Sequence, residues 1–532
     1  MGGALLTLGC GNSASELAGS PTEARRPNVV VIMADDLGFG DFGAYGARFG
    51  TLPPAPTPHL DELAAEGMMF TQAHSSNGVC TPSRYAFLTG KYNWRTFSDI
   101  SWGYAAPDIP STDTTLAEFL KAQGYDTAAF GKWHLGGQFY DRNGVAYTGR
   151  AQTIVDPASI DWEHRLDGHA VDHGFDVFRG LAVTINMPPY VWVKEDRIQY
   201  FDAGLGAFRD ARNTDAFRSF TTTELDEGLT VGYNSTDGLG DPVFKPEDAD
   251  PTLLAEVESY FGDRATNSVP FFAYVAMYSP HEPWHTSTPF VGSVGFEYGD
   301  WMADFDARIG RVLGALDDNG LSDDTLVILT SDNGPEYSAF LNSRAHERDS
   351  NGPLRGIKHD VWEGGTRVPF VVRWPGKVPA GTETNQVICL TDVLATLAGM
   401  FHAALPKGNA EDSFDVMRAF TEVKPGSPVR DHVILQSAGA VYDIRMGDWK
   451  LVERANAPEF ETVRNKRKTA QAARQRQIAP KKDELFNLRK DPAEETNVAA
   501  HNAERAATMK KMLVDARDRG FTRPGAGNER SE

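Results

Sequence analysis

Short apolar runs alternating with amphipathic stretches limit most what this chain can fold into. Asn28 to Met33 is compact, apolar and too short for a helix, the pattern of a strand buried on both faces. Similar runs recur at Asp126 to Phe130, Pro270 to Met277, Thr325 to Thr330 and Pro369 to Trp374. Between them, His59 to Glu66, Ser83 to Leu88, Leu116 to Gln123, Met302 to Asp318 and Asp392 to Ala398 read as helices. Strands alternating with helices point to an α/β architecture. At 532 residues the chain has room for one large unit with a satellite.

The residues just after these strands carry more information than the strands. Asp35-Asp36 follow the first, Lys132 and His134 the second, His281 the third and Asp332-Asn333 the fourth. Ligands of open α/β sheets bind beyond the carboxyl ends of the strands, so these groups are expected to meet in one crevice. The Gly-, Asp- and aromatic-rich region from Gly137 to Asp250 reads as long insertions shaping a cleft. After about Pro425 the texture changes again. Strands near Val433 to Leu435, Val441 to Arg445, Trp449 to Val452 and Leu485 to Leu488 precede a helix from Ala503 to Arg517, which predicts a small antiparallel sheet with one covering helix. The expected division is 1–26 as leader and linker, 27–425 as the catalytic domain and 426–532 as the C-terminal subdomain.

Composition narrows the partners. Apolar residues make up 41%, which excludes wholesale disorder, and 73 acidic residues against 52 Lys and Arg give a formal charge of -21. So acidic a surface repels phosphate backbones, making nucleic acid a poor partner. No run approaches the roughly 20 apolar residues of a membrane span, so no transmembrane segment is expected. Three cysteines, Cys10, Cys80 and Cys389, cannot build a disulfide framework. The first 26 residues, with a short apolar stretch before Gly9-Cys10, resemble the end of a bacterial lipoprotein signal, although Thr7 sits where Leu is usual and no basic residue precedes the stretch. Export is expected, to the periplasm or, as a lipoprotein, to the cell surface. Arg464 to Lys482 holds eight Lys or Arg and no acid, read as a solvated segment or a docking strip for a polyanion.

The chemistry concentrates at Cys80-Thr81-Pro82-Ser83-Arg84, closely followed by Leu88-Thr89-Gly90-Lys91-Tyr92. This run resembles the signature of the type I sulfatases, in which the cysteine is oxidised to formylglycine. Further segments agree in order: Pro27-Asn28 with Asp35-Asp36-Leu37-Gly38; Gly131-Lys132-Trp133-His134-Leu135-Gly136; Pro280-His281; Ser331-Asp332-Asn333-Gly334; and Gly356-Ile357-Lys358 leading to Glu363-Gly364-Gly365-Thr366-Arg367. The resemblance implies an alkaline-phosphatase-like sandwich, a central mixed sheet flanked by helices, with a small C-terminal α+β subdomain. Its whole-chain pattern, including Met187-Pro188-Pro189-Tyr190, is similar to bacterial sulfatases that desulfate polysaccharides.

A sulfate ester is a stable anion, so attack at sulfur needs its oxygens neutralised, a good nucleophile and an acid for the leaving alcohol. A hydrated aldehyde supplies two hydroxyls: one attacks, and deprotonating the other expels sulfate and restores the aldehyde. Asp35, Asp36, Asp332 and Asn333 form an all-oxygen set suited to a hard divalent cation, which the resemblance implies is calcium. Lys132 and Lys358 are point charges suited to sulfate oxygens. By the same resemblance Arg84 orients the hydrate and His134 is the base that releases sulfate. His281 fits the general acid, with His285 the rival for that role. His74, His346 and His359 have weaker claims, His402 and His432 read as structural, and Cys389 as a buried inert thiol. The expected partners are a sulfated saccharide and a formylglycine-generating or other sulfatase-maturing enzyme. A phosphonate or phosphate ester hydrolase of the same superfamily, and a non-catalytic glycan-binding relative, remain the alternatives.

Overall fold

The computed structural model describes residues 1–2, 26–97, 100–148, 157–230, 235–437, 441–454, 480 and 482–526. Cys10, nearly all of the segment read as a leader and nearly all of the basic stretch lie outside them. No helix among the described residues is long and apolar enough to cross a membrane.

The run that opens the domain becomes the strand Asn28–Ala34, with every residue buried. Its side chains alternate between two cores, Val29, Val31 and Met33 on one face of the sheet and Val30, Ile32 and Ala34 on the other. Thr325–Ser331 and Phe271–Ala276 flank it, Asp126–Gly131 pairs with the latter, and Val177–Leu181 follows, all parallel. An antiparallel strand, Phe370–Arg373, joins at Thr325–Ser331, so the sheet is mixed. It has eleven strands. The helices Cys80–Thr89, Leu116–Ala122 and Asp392–Met400 feed one core, and Pro58–Glu66, Ala249–Arg264 and Glu297–Asp318 the other.

The region from Gly137 to Asp250 is more regular than an insertion of loops. It supplies Val177–Leu181 and then Trp192–Lys194, Arg197–Asp202 and Ala207–Asp210, which extend the sheet antiparallel. Phe178-Arg179-Gly180 in the first of these shows neither an apolar run nor alternation, so its pairing partner decides its conformation. Tyr190 is buried and stacks on Phe244 with ring centroids 5.2 Å apart, so it belongs to the core.

Val433–Gln436, Tyr442–Met446, Trp449–Val452 and Glu484–Asn487 form an antiparallel four-stranded sheet in chain order. The helix Ala503–Arg519 covers it through Met509, Leu513 and Ala516, one apolar stripe at helical spacing. Gln436, at the end of the first of these strands, reaches the large domain. Its backbone pairs with Ser76 and Gly78, and Asn77 Nδ2 donates to its side chain at 2.9 Å. The small sheet thereby holds the segment that leads into Cys80.

Candidate active site

Four parallel strands, in the spatial order 325–331, 28–34, 271–276 and 126–131, end on one edge of the sheet. The turns leaving them are tightly constrained. Asp36 and His134 both adopt left-handed backbone, with φ of 68° and 56°, a conformation that costs a non-glycine residue about 1–3 kcal/mol and concentrates at functional sites. Gly131, with φ of 97°, lets the chain turn into Lys132 where a Cβ would lie 2.0 Å from the Ala276 carbonyl. Gly334 lies so close to Gly364 that a Cβ would meet its carbonyl oxygen at 1.9 Å. The Ser-Asp-Asn-Gly and Glu-Gly-Gly motifs are thus two halves of one backbone contact.

Cys80 opens the helix Cys80–Thr89, and Arg84 lies one turn later on the same face. The Cys80 thiol donates to Asp35 Oδ1 at 3.6 Å and to Asp36 Oδ1 at 3.9 Å. Burial pushes its pKa far up against the pull of Lys132 and Lys358, so a thiol at this position stays protonated and is a poor nucleophile. Lys132 Nζ donates to Asp35 Oδ2 and Lys358 Nζ to Asp36 Oδ2, each at 2.6 Å. The outer oxygen of each aspartate therefore faces a lysine and the inner oxygen faces Cys80. Arg84 Nε and Nη2 reach Asp332 Oδ2 at 2.9 and 2.8 Å, and Nη2 lies 3.6 Å from Asp35.

Asp332 and Asn333 join through Asp36. The Asp36 backbone N–H donates to Asp332 Oδ1 at 3.1 Å, and Asn333 Nδ2 donates to Asp36 Oδ1 at 2.7 Å. Asn333 Oδ1 is buried without a hydrogen-bond partner among the described residues. Burial raises Asp36 to about 6 despite Lys358, with Asp35 and Glu336 adding to the rise. Asp332 is likewise raised to about 6 by burial, against Arg84. Asp35 is buried too, yet Lys132, His281 and Arg84 together hold its carboxyl well below the usual range. Three crowded carboxylates and an orphaned amide oxygen fit a hard cation. Ligand atoms of Asp35, Asp36, Cys80 and His281 also lie within 4.8 Å of one another, so the same carboxylates face both Cys80 and the imidazole.

The two histidines present opposite nitrogens. His134 Nε2 faces the Ser101 carbonyl at 2.9 Å and must carry the proton, leaving Nδ1 as a buried acceptor with no partner among the described residues. Burial and Lys132 hold His134 neutral. His281 does the reverse: Nδ1 donates to the Glu282 carbonyl at 2.5 Å, and Nε2 lies 3.6 Å from Asp36 Oδ2. Burial and Lys358 lower His281 to about 4. The loop that carries it is clamped by a buried Asp250–Arg308–Asp304 triad. Asp250 accepts from the backbone N–H groups of Tyr278 and Ser279, Asp304 accepts from that of Ser287, and Arg308 bridges the two acids at 2.8 and 2.7 Å.

Three other candidate histidines are engaged elsewhere. His285 bonds the Leu225 carbonyl at 2.8 Å, His74 lies on Glu363 in the contact between the two domains, and His346 stacks on Phe296. His359 sits beside Lys358 in left-handed backbone. Cys389 is buried and unpaired. Two acids that sequence reasoning passed over belong to the site. Glu336 lies 3.4 Å from Lys358 Nζ, and Glu282 follows His281. Their signal was adjacency to matched motifs, Ser-Asp-Asn-Gly-Pro-Glu and Pro-His-Glu-Pro.

Comparison with known proteins identifies the family. The family model described as Sulfatase matches residues 27–403. An N-acetylgalactosamine-6-O-sulfatase of Bacteroides thetaiotaomicron is 29% identical over 97% of this chain and 98% of its own. The N-acetylgalactosamine-6-sulfatase of Canis lupus familiaris is 30% identical over 81% and 72%, and the steryl-sulfatase of Mus musculus 34% identical over 75% and 66%. A solved structure from the metabolism of multiple glycosaminoglycans by Bacteroides thetaiotaomicron superimposes with a TM-score of 0.76 at 27% identity, covering 93% of this chain and all of that one. The phosphonate monoester hydrolase of Agrobacterium radiobacter, at a TM-score of 0.57 and 19% identity over 93% and 96%, shares the fold. The chain belongs to the sulfatase family and is a sulfuric ester hydrolase.

Proposed function

We propose that the chain removes sulfate from a sulfated carbohydrate, with N-acetylgalactosamine 6-sulfate the first candidate, using formylglycine made from Cys80 and a calcium ion. The observation that carries the chemistry is the Cys80 sulfur held against the inner oxygens of Asp35 and Asp36, whose outer oxygens each face a lysine. The sugar follows from the relative that matches nearly the full length of both chains, which is named for that sulfate. Export to the periplasm or the cell surface completes the reading, with a maturing enzyme as the partner that modifies Cys80.

Asp35, Asp36, Asp332 and Asn333 would hold the cation, which when bound places positive charge against sulfate oxygens. As formylglycine hydrate, residue 80 would offer the hydroxyl that attacks sulfur. Lys132 and Lys358 neutralise the remaining oxygens. His134 Nδ1, unprotonated and buried, accepts the proton whose loss allows sulfate to leave. His281 protonates the departing alcohol from Nε2, for which the ring must first gain a second proton. In the free site burial opposes that gain, with Lys358 adding to it. An anionic ester beside the ring favours its protonated form.

A panel of N-acetylgalactosamine 6-sulfate, a steryl sulfate, 4-nitrophenyl sulfate and the matching phosphate esters tests this reading. Turnover of the saccharide sulfate well above the steryl sulfate and the phosphates is expected. Preference for the steryl sulfate or for a phosphate would overturn it.

A further inference from the structure

Glu282 is 4% exposed, and among the described residues no group donates a hydrogen bond to its carboxyl. Buried carboxyls nearly always have partners, so an unpartnered one needs a reason. Its oxygens are not sealed from solvent, unlike those of Asp443 in the contact between the domains. Its electrostatic neighbours are Glu336, Lys358 and Asp36, and beyond them Asp226 from the inserted region. Its own carbonyl holds His281 Nδ1, so the side chain is attached one residue from the imidazole that faces the leaving oxygen.

We infer that the Glu282 carboxyl binds a free hydroxyl of the sugar on the leaving-group side, the hydroxyl nearest the sulfate ester. On a 6-sulfated galactosamine that is the axial 4-hydroxyl. A ligand from the substrate is the partner the folded protein withholds, and its arrival completes a site that is otherwise short of a donor. Its oxygens can accept a hydrogen bond from a hydroxyl. Asp226 and the Leu225 carbonyl that anchors His285 bring the inserted region to the same side, which places the pyranose ring between the sheet edge and that insertion. A pocket that hydrogen-bonds a hydroxyl discriminates strongly against an analogue lacking it, because the pocket's polar group is then left unpaired. This inference rests on the carbohydrate reading above.

The test compares wild type, Glu282→Gln and Glu282→Ala at matched metal and formylglycine content. Their kcat/KM is measured on N-acetylgalactosamine 6-sulfate, its 4-deoxy analogue and 4-nitrophenyl sulfate. One lost hydrogen bond to substrate predicts a loss for Glu282→Ala about ten-fold larger on the saccharide than on the nitrophenyl ester. Glu282→Gln, which keeps an acceptor in the same shape, should restore most of it. On the 4-deoxy analogue, wild type and Glu282→Ala should differ no more than they do on the nitrophenyl ester. Equal losses on the saccharide and the nitrophenyl ester, or an undiminished loss on the deoxy analogue, would overturn the contact while leaving the carbohydrate reading in place. A wild type that cleaves 4-nitrophenyl sulfate but not the saccharide would overturn the carbohydrate reading, and this contact with it.

Discussion

Two buried clusters in this molecule hold the same kinds of charge and are wired differently. At the sheet edge Asp35, Asp36 and Asp332 meet Lys132, Lys358 and Arg84. At the contact between the domains Glu363, Asp443 and Glu494 meet Arg367, Arg445 and Lys450. In the second cluster the cation sits among the acids: Lys450 Nζ is 3.2 Å from Glu363, 3.2 Å from Glu494 and 3.7 Å from Asp443. In the first, the lysines take only the outer oxygens, and the inner ones converge on residue 80. A cluster whose cation sits among its acids fastens two parts of a fold. One that leaves carboxylate oxygens facing a common point, with an unpartnered amide oxygen nearby in the chain, is arranged for a ligand.

Substitution at the heart of each cluster should separate these roles most sharply. Cys80→Ala should abolish turnover and leave the melting temperature nearly unchanged, because a methyl fits where a neutral buried thiol sat. Glu363→Ala removes the acid that Arg367 and Arg445 pair with, and breaking a buried pair of this kind costs about 3–5 kcal/mol. Calorimetry and turnover on both variants check the contrast. A large stability loss in Cys80→Ala, or none in Glu363→Ala, would erase it.

Within the site, the two histidines should diverge by leaving group. General acid catalysis of alkoxide departure is worth about 10²–10⁴-fold. His281→Ala should lose that factor on a sulfated saccharide and much less on 4-nitrophenyl sulfate, whose phenolate leaves unaided. His134→Ala should damage both substrates alike. Equal losses for His281→Ala on the two would move the acid role elsewhere.

Removing the cation should affect the sheet-edge cluster only. Chelation is expected to lower both activity and melting temperature, with calcium restoring both. No change in either, or restoration by zinc alone, would contradict the assignment.

The smallest effect concerns pH and the interface cluster. Burial raises Asp443 from 3.8 to about 8, so the folded protein holds a proton that the unfolded chain releases. Between those values the native state binds more protons, and stability therefore falls as pH rises from about 4 toward 8. Asp443→Asn mimics the protonated form and should flatten the decline in melting temperature between pH 5 and 8. An unchanged slope would show that another group titrates.

Of the candidate site residues, Cys80, Arg84 and Lys358 were legible only from their motifs, whereas Asp35, Asp36, Lys132, His134, His281, Asp332 and Asn333 were legible because each sits within a few residues of the end of an apolar strand. The central strands were legible for the same reason: full burial on both faces leaves a continuous apolar run. Val177–Leu181 was not, because Arg179 and Gly180 break the pattern and pairing with Asp126–Gly131 sets its conformation. The helix Glu297–Asp318 starts five residues before the apolar periodicity suggests, since Glu297 and Asp300 favour its first turn without marking a face. The clamp on the loop of His281 stayed hidden because Asp250 meets Arg308 from 58 residues away. The Gln436 contact, which ties the C-terminal sheet to the segment before Cys80, has no local signature at all.

The claim on which the rest depends is that residue 80 acts only after its thiol has been exchanged for an aldehyde. The most direct measurement is the mass of the Cys80 peptide, quantified across preparations made with and without a maturing enzyme and set against turnover of 4-nitrophenyl sulfate. The account predicts activity proportional to the fraction in which the sulfur and two hydrogens have been replaced by one oxygen, reaching zero where only thiol is present. Full activity from protein whose Cys80 peptide carries the unmodified thiol mass would contradict it.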